Sequence, residues 1–193
     1  MYVSRVEILV RDLARSQDFY GGLLGLADER VRVVEGVADD GWVDDDRQLG
    51  NRHLAFYVSD VDAEAARLAQ AGVEFLFEPV DHKGGVRLAY FRDPDGTVLE
   101  LLSGTPTYDR TRSPALATQE RMALPGPGEP PRLAHLAVTV QRPPADGVIG
   151  EMDIEEKGML LTFVAGPAPL ELASFARGEL LPEANGNLRA VGT

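Results

Sequence analysis

The chain has 193 residues, 44% of them hydrophobic, so it can bury a substantial core without cross-links. It contains no cysteine, which excludes disulfides, thiolate metal sites and cysteine nucleophiles and leaves His, Asp and Glu as possible metal ligands. The formal net charge of −12 opposes contact with a phosphate backbone, so no nucleic-acid partner is expected. No apolar run suits a signal peptide or a membrane span, and we therefore expect a cytoplasmic protein without a membrane partner.

Residues 1–52 have the pattern of a degenerate βαβ module. Aliphatic and β-branched residues over 3–10 predict a strand, and residues 13–24 then carry apolar side chains at helical spacing. Gly25 follows the last periodic residue, where a left-handed helix terminator is expected. Residues 30–34 alternate charge and valine, which is typical of a half-buried strand.

Residues 53–103 repeat this layout and extend it to a complete βαβββ module. The pattern predicts a strand, a helix closed by glycine and three further strands, which cover residues 53–58, 63–71, 73–80, 86–92 and 98–102 in that order. The sequence Asp-Pro-Asp-Gly at 93–96 has the composition of a tight turn before the last strand.

The remainder of the chain changes character twice. Residues 104–131 are rich in proline and predict an extended linker or surface strap rather than packed structure. Residues 132–176 predict four strands, and Pro143 and Pro144 forbid a helix directly after the first of them, so this segment is a degenerate, mostly β module. Residues 177–193 are expected to form a poorly ordered tail.

Short words of sequence recur between these units, as they do in repeat architectures. The word HLAxxV at 53–58 recurs at 135–140, and LELxS at 99–103 recurs at 170–174. The word VxDL at 10–13 is similar to VxDV at 58–61, and each leads into a predicted helix. We interpret the three units as imperfect copies of one module.

The strand-start histidine, the VxD helix entry, the FRDPDG turn at 91–96 and the LEL strand together resemble the glyoxalase/bleomycin-resistance/extradiol-dioxygenase superfamily, also called vicinal oxygen chelate proteins. The resemblance covers residues 1–103 and, through the two shared words, residues 132–176. It implies an α+β fold in which paired βαβββ modules form a cupped mixed sheet. It also implies a divalent metal between modules, held by a His on each first strand and a Glu on each last strand.

Carried over to this sequence, the resemblance implies that His53, Glu100, His135 and Glu171 hold the metal. Two imidazoles and two carboxylates suit a borderline divalent ion and leave coordination positions open for substrate oxygens. Fe, Ni, Co, Mn and Zn are not distinguished by this ligand set. Glu100 and Glu171 are also the candidate catalytic residues, as ligands that can shuttle a proton.

The first unit departs from the family pattern, because Arg5 occupies the position that matches His53. A guanidinium cannot coordinate a metal. Glu7 shares a strand face with Arg5, so the two are predicted to line the cup, either as an ion pair or as a site for an anionic substrate group. Tyr57 and Tyr90 are further candidate substrate-binding residues, with an ordinary core position as the alternative.

These observations predict a metal-dependent enzyme that acts on a small oxygenated molecule, a glyoxalase- or epimerase-like isomerase or lyase. An extradiol-type dioxygenase and a metal-free drug-binding or resistance protein are the alternatives. Because three modules leave one without a partner in a fold built from pairs, a homodimer with module pairing across chains is also predicted.

Overall fold

Two β-sheets of unequal size organise the chain. The computed structural model describes residues 3–38 and 40–192. The elements are β1 (Val3–Val10), α1 (Leu13–Gln17) with a π-helical continuation (Asp18–Leu23), β2 (Val31–Glu35), β3 (Gly50–Tyr57), α2 (Val61–Gln70), β4 (Val80–His82), β5 (Val86–Arg92), β6 (Val98–Ser103), β7 (Arg110–Thr111), α3 (Pro114–Met122), β8 (Arg132–Thr139), β9 (Val148–Ile154), β10 (Met159–Val164), β11 (Leu170–Phe175) and β12 (Leu188–Gly192). A short 3₁₀ helix (Glu155–Lys157) joins β9 to β10.

The larger sheet has nine strands in the order β4-β5-β6-β3-β8-β11-β10-β9-β7. Its central strands β3 and β8 pair antiparallel, so the four strands of residues 53–103 continue directly into the four strands of residues 132–176. In each half the first and last strands, β3 with β6 and β8 with β11, pair in parallel. This arrangement confirms the predicted α+β fold with paired modules and a mixed, curled sheet. The division of the chain into the units 1–52, 53–103 and 132–176 stays our proposal.

The smaller sheet joins the two ends of the chain. β1 pairs in parallel with β2, and α1 lies between them in sequence, which gives the predicted βαβ arrangement. Gly25 has the positive φ (69°) that its place after the helix predicted. β12 pairs antiparallel with the other edge of β1, so the prediction of a poorly ordered tail was wrong. Pairing with β12 satisfies an otherwise open edge of β1 and buries Leu188.

Two further expectations need correction. The proline-rich segment is not wholly extended, because it contains α3. Ser113 accepts a hydrogen bond from the amide of Leu116, and Pro114 occupies the first helical turn, where a missing N–H breaks no helical bond. The strand predicted over 73–80 is reduced to an isolated bridge between Phe75 and Phe91 before β4 begins.

The main hydrophobic core lies between the back face of the large sheet and the small sheet with its helix. Leu54 and Leu136 lie opposite each other at the centre of this face and are fully buried. Val6 and Ile8 of β1 and Leu68 of α2 belong to the same core. A fully buried aliphatic side chain stabilises a fold by about 1.5–3 kcal/mol, so this layer fixes which face of the large sheet stays available for a site.

Module pairing occurs within the chain. Residues 53–103 pair with residues 132–176 through β3 and β8, and the first unit is extended by β12. The prediction of a homodimer rested on an odd number of modules, and the first unit pairs with β12 rather than with one of the other two modules. The oligomeric state itself stays a prediction, to be tested by the mass of the protein in solution.

Candidate metal centre

Four predicted ligands lie at the centre of the large sheet, in two rows that cross β3 and β8. In the first row Tyr90 lies opposite Glu100. Glu100 in turn lies opposite Ala55, and Ala55 lies opposite His135. Directly opposite residues on neighbouring strands project from the same face, so this row presents Glu100 and His135 on the side away from the main core.

The second row mirrors the first. Phe163 lies opposite Glu171, Glu171 opposite Ala137, and Ala137 opposite His53. The two rows are thus related by an approximate two-fold axis between β3 and β8, as expected for two copies of one module. The alanine in each row leaves room above the sheet for the longer side chains on either side.

Glu100 lies between the two histidines. Its Oε2 atom is 3.0 Å from Nε2 of His53, with which it forms a hydrogen bond, and 3.4 Å from Nε2 of His135. Oε2 of Glu171 lies 3.7 Å from the same His135 nitrogen. The structure therefore brings all four predicted ligands together. Donor atoms of His53, Glu100 and His135 lie within 4.8 Å of one another, and Glu171 stands beside this tighter group.

The electrostatics of the cluster favour a positive charge. Burial alone would raise the pKa of Glu100, but its contacts with His135 and His53 lower it well below the usual range. Burial lowers the pKa of His135, and the charges of Glu171 and Glu100 more than reverse this, so the pKa of His135 is raised. The excess of negative charge that favours a proton on His135 would equally favour a divalent cation.

The residues fit a metal ion on two further grounds. Nε2 of His135 is buried and has no hydrogen-bond partner among the residues that the structure describes, so a ligand of that nitrogen would satisfy a polar atom that is otherwise costly to bury. Glu100 is only 2% exposed, between two leucines of a buried strand, where an ionised carboxylate requires a cationic partner. The cluster could therefore bind a metal, and two imidazoles with carboxylates do not by themselves select one ion.

The cluster forms the floor of a cavity of about 350 Å³. Tyr57 and Tyr90 line this cavity, and their role in substrate binding stays a prediction. The ring of Tyr90 meets the ring of His53 edge to face at 5.1 Å between centroids. Apolar side chains from both halves of the sheet form most of the walls, among them Leu88, Leu102, Met152, Ile154, Leu161 and Phe163.

Arg5 and Glu7 are not brought to this site. They lie on β1 in the small sheet and are not among the residues that line the cavity in the described part of the chain. Their side chains form an ion pair with each other, 3.1 Å between Nη2 and Oε1. The ion pair is present, but its predicted place in the lining of the cup is corrected, because β1 belongs to the small sheet.

Sequence reasoning missed Phe163, which holds the position opposite Glu171 that Tyr90 holds opposite Glu100. The repeated LEL motifs alone do not reveal this correspondence, because Tyr90 lies ten residues before Glu100 and Phe163 only eight before Glu171. Extending the alignment without a gap would have paired Tyr90 with Leu161 instead.

A pair of βαβββ-derived modules with a His and a Glu from each defines the class of fold and site. The family model described as Glyoxalase/Bleomycin resistance protein/Dioxygenase superfamily matches residues 2–101, and the chain belongs to this superfamily. An uncharacterized protein of Escherichia coli (strain K12), YaeR, is 31% identical over 122 residues, which cover 51% of this chain and 93% of that protein.

Solved structures extend the likeness to nearly the whole chain. Glyoxalase I from Zea mays is similar with a TM-score of 0.60 at 18% identity, covering 97% of this chain and 71% of that one. Its V278E mutant gives a TM-score of 0.61 at 18% identity, covering 98% of this chain and 72% of that one. At such identities the likeness concerns the fold. Among the described residues, no helix is long and apolar enough to cross a membrane.

Proposed function

We propose that the protein is a divalent-metal-dependent enzyme that acts on a small oxygenated molecule as an isomerase or lyase. The observation that carries this proposal is the cluster of His53, Glu100 and His135 on the floor of an apolar cavity, with Glu171 beside it. His and Glu ligands on four different strands are held by the sheet, which is the preorganisation that a catalytic site requires.

His53, Glu100, His135 and Glu171 would hold the metal. A divalent ion bound there would supply Lewis acidity and stabilise negative charge on a substrate oxygen. Glu100 is the more deeply buried carboxylate and contacts both imidazoles, so its role is to hold charge and geometry. The Glu171 side chain is 16% exposed and its ionic contact with His135 is 3.7 Å long, so it is the better placed to take a proton from the substrate and return it.

Tyr90 lies beside His53 and is proposed to support the metal-binding cluster. Burial, and then the charges of Glu100 and Glu171, raise the pKa of Tyr90, so its hydroxyl keeps its proton. The phenol can therefore donate a hydrogen bond towards Glu100 while the ring packs against His53. The apolar walls exclude water around the reacting atoms, which strengthens the electrostatic interactions at the floor.

A specific observation also favours an extradiol-type dioxygenase as the second candidate. The tight group contains two histidines and one carboxylate, which is the ligand set of non-haem ferrous oxygenases. In a dioxygenase of this kind, Glu171 would not bind the metal and would contact only the substrate.

Reconstitution separates the candidates. We expect purified, dialysed protein to bind about one divalent ion per chain in elemental analysis. Turnover of hemithioacetal or epimerisable carbonyl substrates with nickel, cobalt or zinc would support the isomerase or lyase. Catechol cleavage that requires ferrous iron and oxygen would support the dioxygenase. Absence of metal uptake under all these conditions would contradict both and favour a metal-free binding protein.

A further inference from the structure

Tyr57 stands between two cavities. It lines the cup above the metal centre and also a second cavity of about 470 Å³, between α3 and the start of β8. The side chain of Tyr57 packs with Ala134, and Ala134 lines the second cavity but not the cup. Only 6% of Tyr57 is exposed, so the residue fills the boundary between the two spaces.

An apolar path leads from the metal centre to this boundary. Leu88, Leu102 and Tyr57 lie opposite one another on β5, β6 and β3 and form the row next to Tyr90, Glu100 and Ala55. Tyr57 is two residues beyond Ala55 on β3, and strand geometry places it roughly 7 Å farther along the sheet. A ligand held by its oxygen atoms at the cluster can therefore extend an apolar chain along this row until it meets Tyr57.

The Tyr57 side chain is anchored from outside the cup. Its hydroxyl interacts with the carboxylate of Glu120 on α3, and the same carboxylate accepts a hydrogen bond from the hydroxyl of Tyr108. Burial, and then the nearby carboxylate of Glu120, raise the pKa of Tyr57, so the hydroxyl remains a donor. The helix that interrupts the proline-rich segment thus holds the end wall of the cup in place.

We propose that Tyr57 is the specificity-determining residue that limits ligand length, and that the preferred substrates combine neighbouring oxygens with a short apolar chain. This inference rests on the proposed function, because the metal centre holds the oxygen-bearing end. Replacing Tyr57 with a smaller residue joins the cup to the cavity under α3 and admits longer chains.

A series of straight-chain alkyl hydroxamates, from two to ten carbons, tests the proposal. These compounds offer two neighbouring oxygens to a metal, and calorimetry and the visible spectrum of cobalt-loaded protein report their binding. In the wild type we expect affinity to rise about fourfold for each added methylene and then to level off or fall. In Tyr57→Ala the rise should continue, so that the longest chains bind at least about tenfold more tightly than to the wild type.

Two other substitutions at Tyr57 separate a change in ligand length from a general loss of stability. Truncating a buried aromatic residue destabilises a core, so Tyr57→Leu provides a milder variant that should move the limit by fewer carbons. Tyr57→Phe keeps the bulk of the ring and loses only the contact of the hydroxyl with Glu120, so it should move the limit less than Tyr57→Leu does.

The outcomes separate this inference from the proposed function. If affinity for the longer chains, relative to each protein's own affinity for the two-carbon compound, keeps rising in Tyr57→Ala and Tyr57→Leu beyond the length at which it levels off in the wild type, the inference is supported. An identical length profile in the wild type, Tyr57→Ala and Tyr57→Leu overturns the inference and leaves the metal centre intact. If no hydroxamate perturbs the cobalt spectrum of any of these proteins, the proposed function fails and the inference fails with it.

Discussion

The two halves of the large sheet are residues 53–103 and residues 132–176. They contribute equivalent residues to the floor of the cavity and different residues to its walls. Ligand positions are equivalent in the two halves, and so are the fully buried leucines on the back face. In the cup, Tyr90 of one half corresponds to Phe163 of the other, Leu102 to Ala173, and Tyr57 to Thr139. The repeat has therefore kept the positions that bind a metal and support the sheet. It has varied the positions that shape the space for a ligand.

The halves also differ on the back of the sheet. Residues 53–103 supply their own cover through α2, whose Val61 and Leu68 are fully buried. Among the described residues, no helix lies between β8 and β9. The core over that half contains Val3 of β1 and Leu188 of β12 instead. A module can lose its helix when another part of the chain buries the same apolar face.

The largest expected effect concerns the shared back face. Leu54→Ala and Leu136→Ala remove equivalent, fully buried side chains that lie opposite each other. Each should lower the free energy of unfolding by about 2.5–5 kcal/mol, because the transfer free energy is lost and a cavity remains. Urea denaturation would measure both. A loss below about 1 kcal/mol for Leu136→Ala alone would show that the second half contributes much less to the fold than its burial suggests.

The next prediction concerns metal binding by the two histidines on the floor of the cavity. His53→Ala and His135→Ala should each weaken zinc or cobalt binding by at least about 100-fold, because each removes a ligand that the other half of the sheet cannot replace. Competition with a chelating dye would measure the affinity. His82→Ala serves as the control, because that histidine is exposed on the β4-β5 hairpin, lines the same cavity and is not part of the cluster of possible ligands. An effect of His53→Ala without a matching effect of His135→Ala would exclude a centre shared between the halves.

Substitution of Glu100 and of Glu171 should weaken metal binding to different extents. Glu100→Gln should weaken metal binding by roughly 10- to 100-fold, since Glu100 contacts both imidazoles in a buried position. Glu171→Gln should weaken it by less than about tenfold and should abolish turnover, since Glu171 is the proposed proton carrier. Metal affinity and turnover measured on the same preparations would show the contrast. Equal losses of affinity would instead indicate four equivalent ligands.

Much of the fold could be predicted because the repeated words mark equivalent strands. HLAxxV fixed the first strand of each half, and LELxS fixed the last, so the ligands followed from the pattern once the resemblance was stated. The short link between β8 and β9 also followed, because Pro143 and Pro144 cannot enter a helix after a strand.

Other features depend on contacts that sequence pattern does not reveal. β12 is a strand because an edge of β1 is available to it, and its own residues Leu188 to Gly192 show little strand periodicity. α3 was hidden by the prolines around it, although Ser113-Pro114 is a typical helix start. Arg5 and Glu7 were placed correctly on a strand, but the sheet to which that strand belongs was decided by long-range packing.

The smallest expected effect concerns how β8 is attached to the first unit. Asp28 accepts hydrogen bonds from Arg30 and from the amide of Leu133 at the start of β8. Burial raises the pKa of Asp28, but these hydrogen bonds and the Arg30 charge outweigh it, so the pKa is lowered. A carboxyl with a lowered pKa stabilises the fold above its unfolded pKa of about 3.9, and this contribution is lost as the pH falls through the folded value.

Asp28→Asn should therefore lower the free energy of unfolding by about 1–2 kcal/mol at pH 7, with the difference from wild type shrinking as the pH falls below about 4. Urea denaturation of both proteins across this range would measure it. Glu29→Gln is the matched control, because the neighbouring carboxylate is exposed and its removal should change little. If the difference in the free energy of unfolding between wild type and Asp28→Asn stays constant down to the lowest pH, Asp28 acts through its shape and neutral hydrogen bonds. In that case the hydrogen bonds of Asp28 to Arg30 and to the amide of Leu133, and not its charge, stabilise the junction between the first unit and β8.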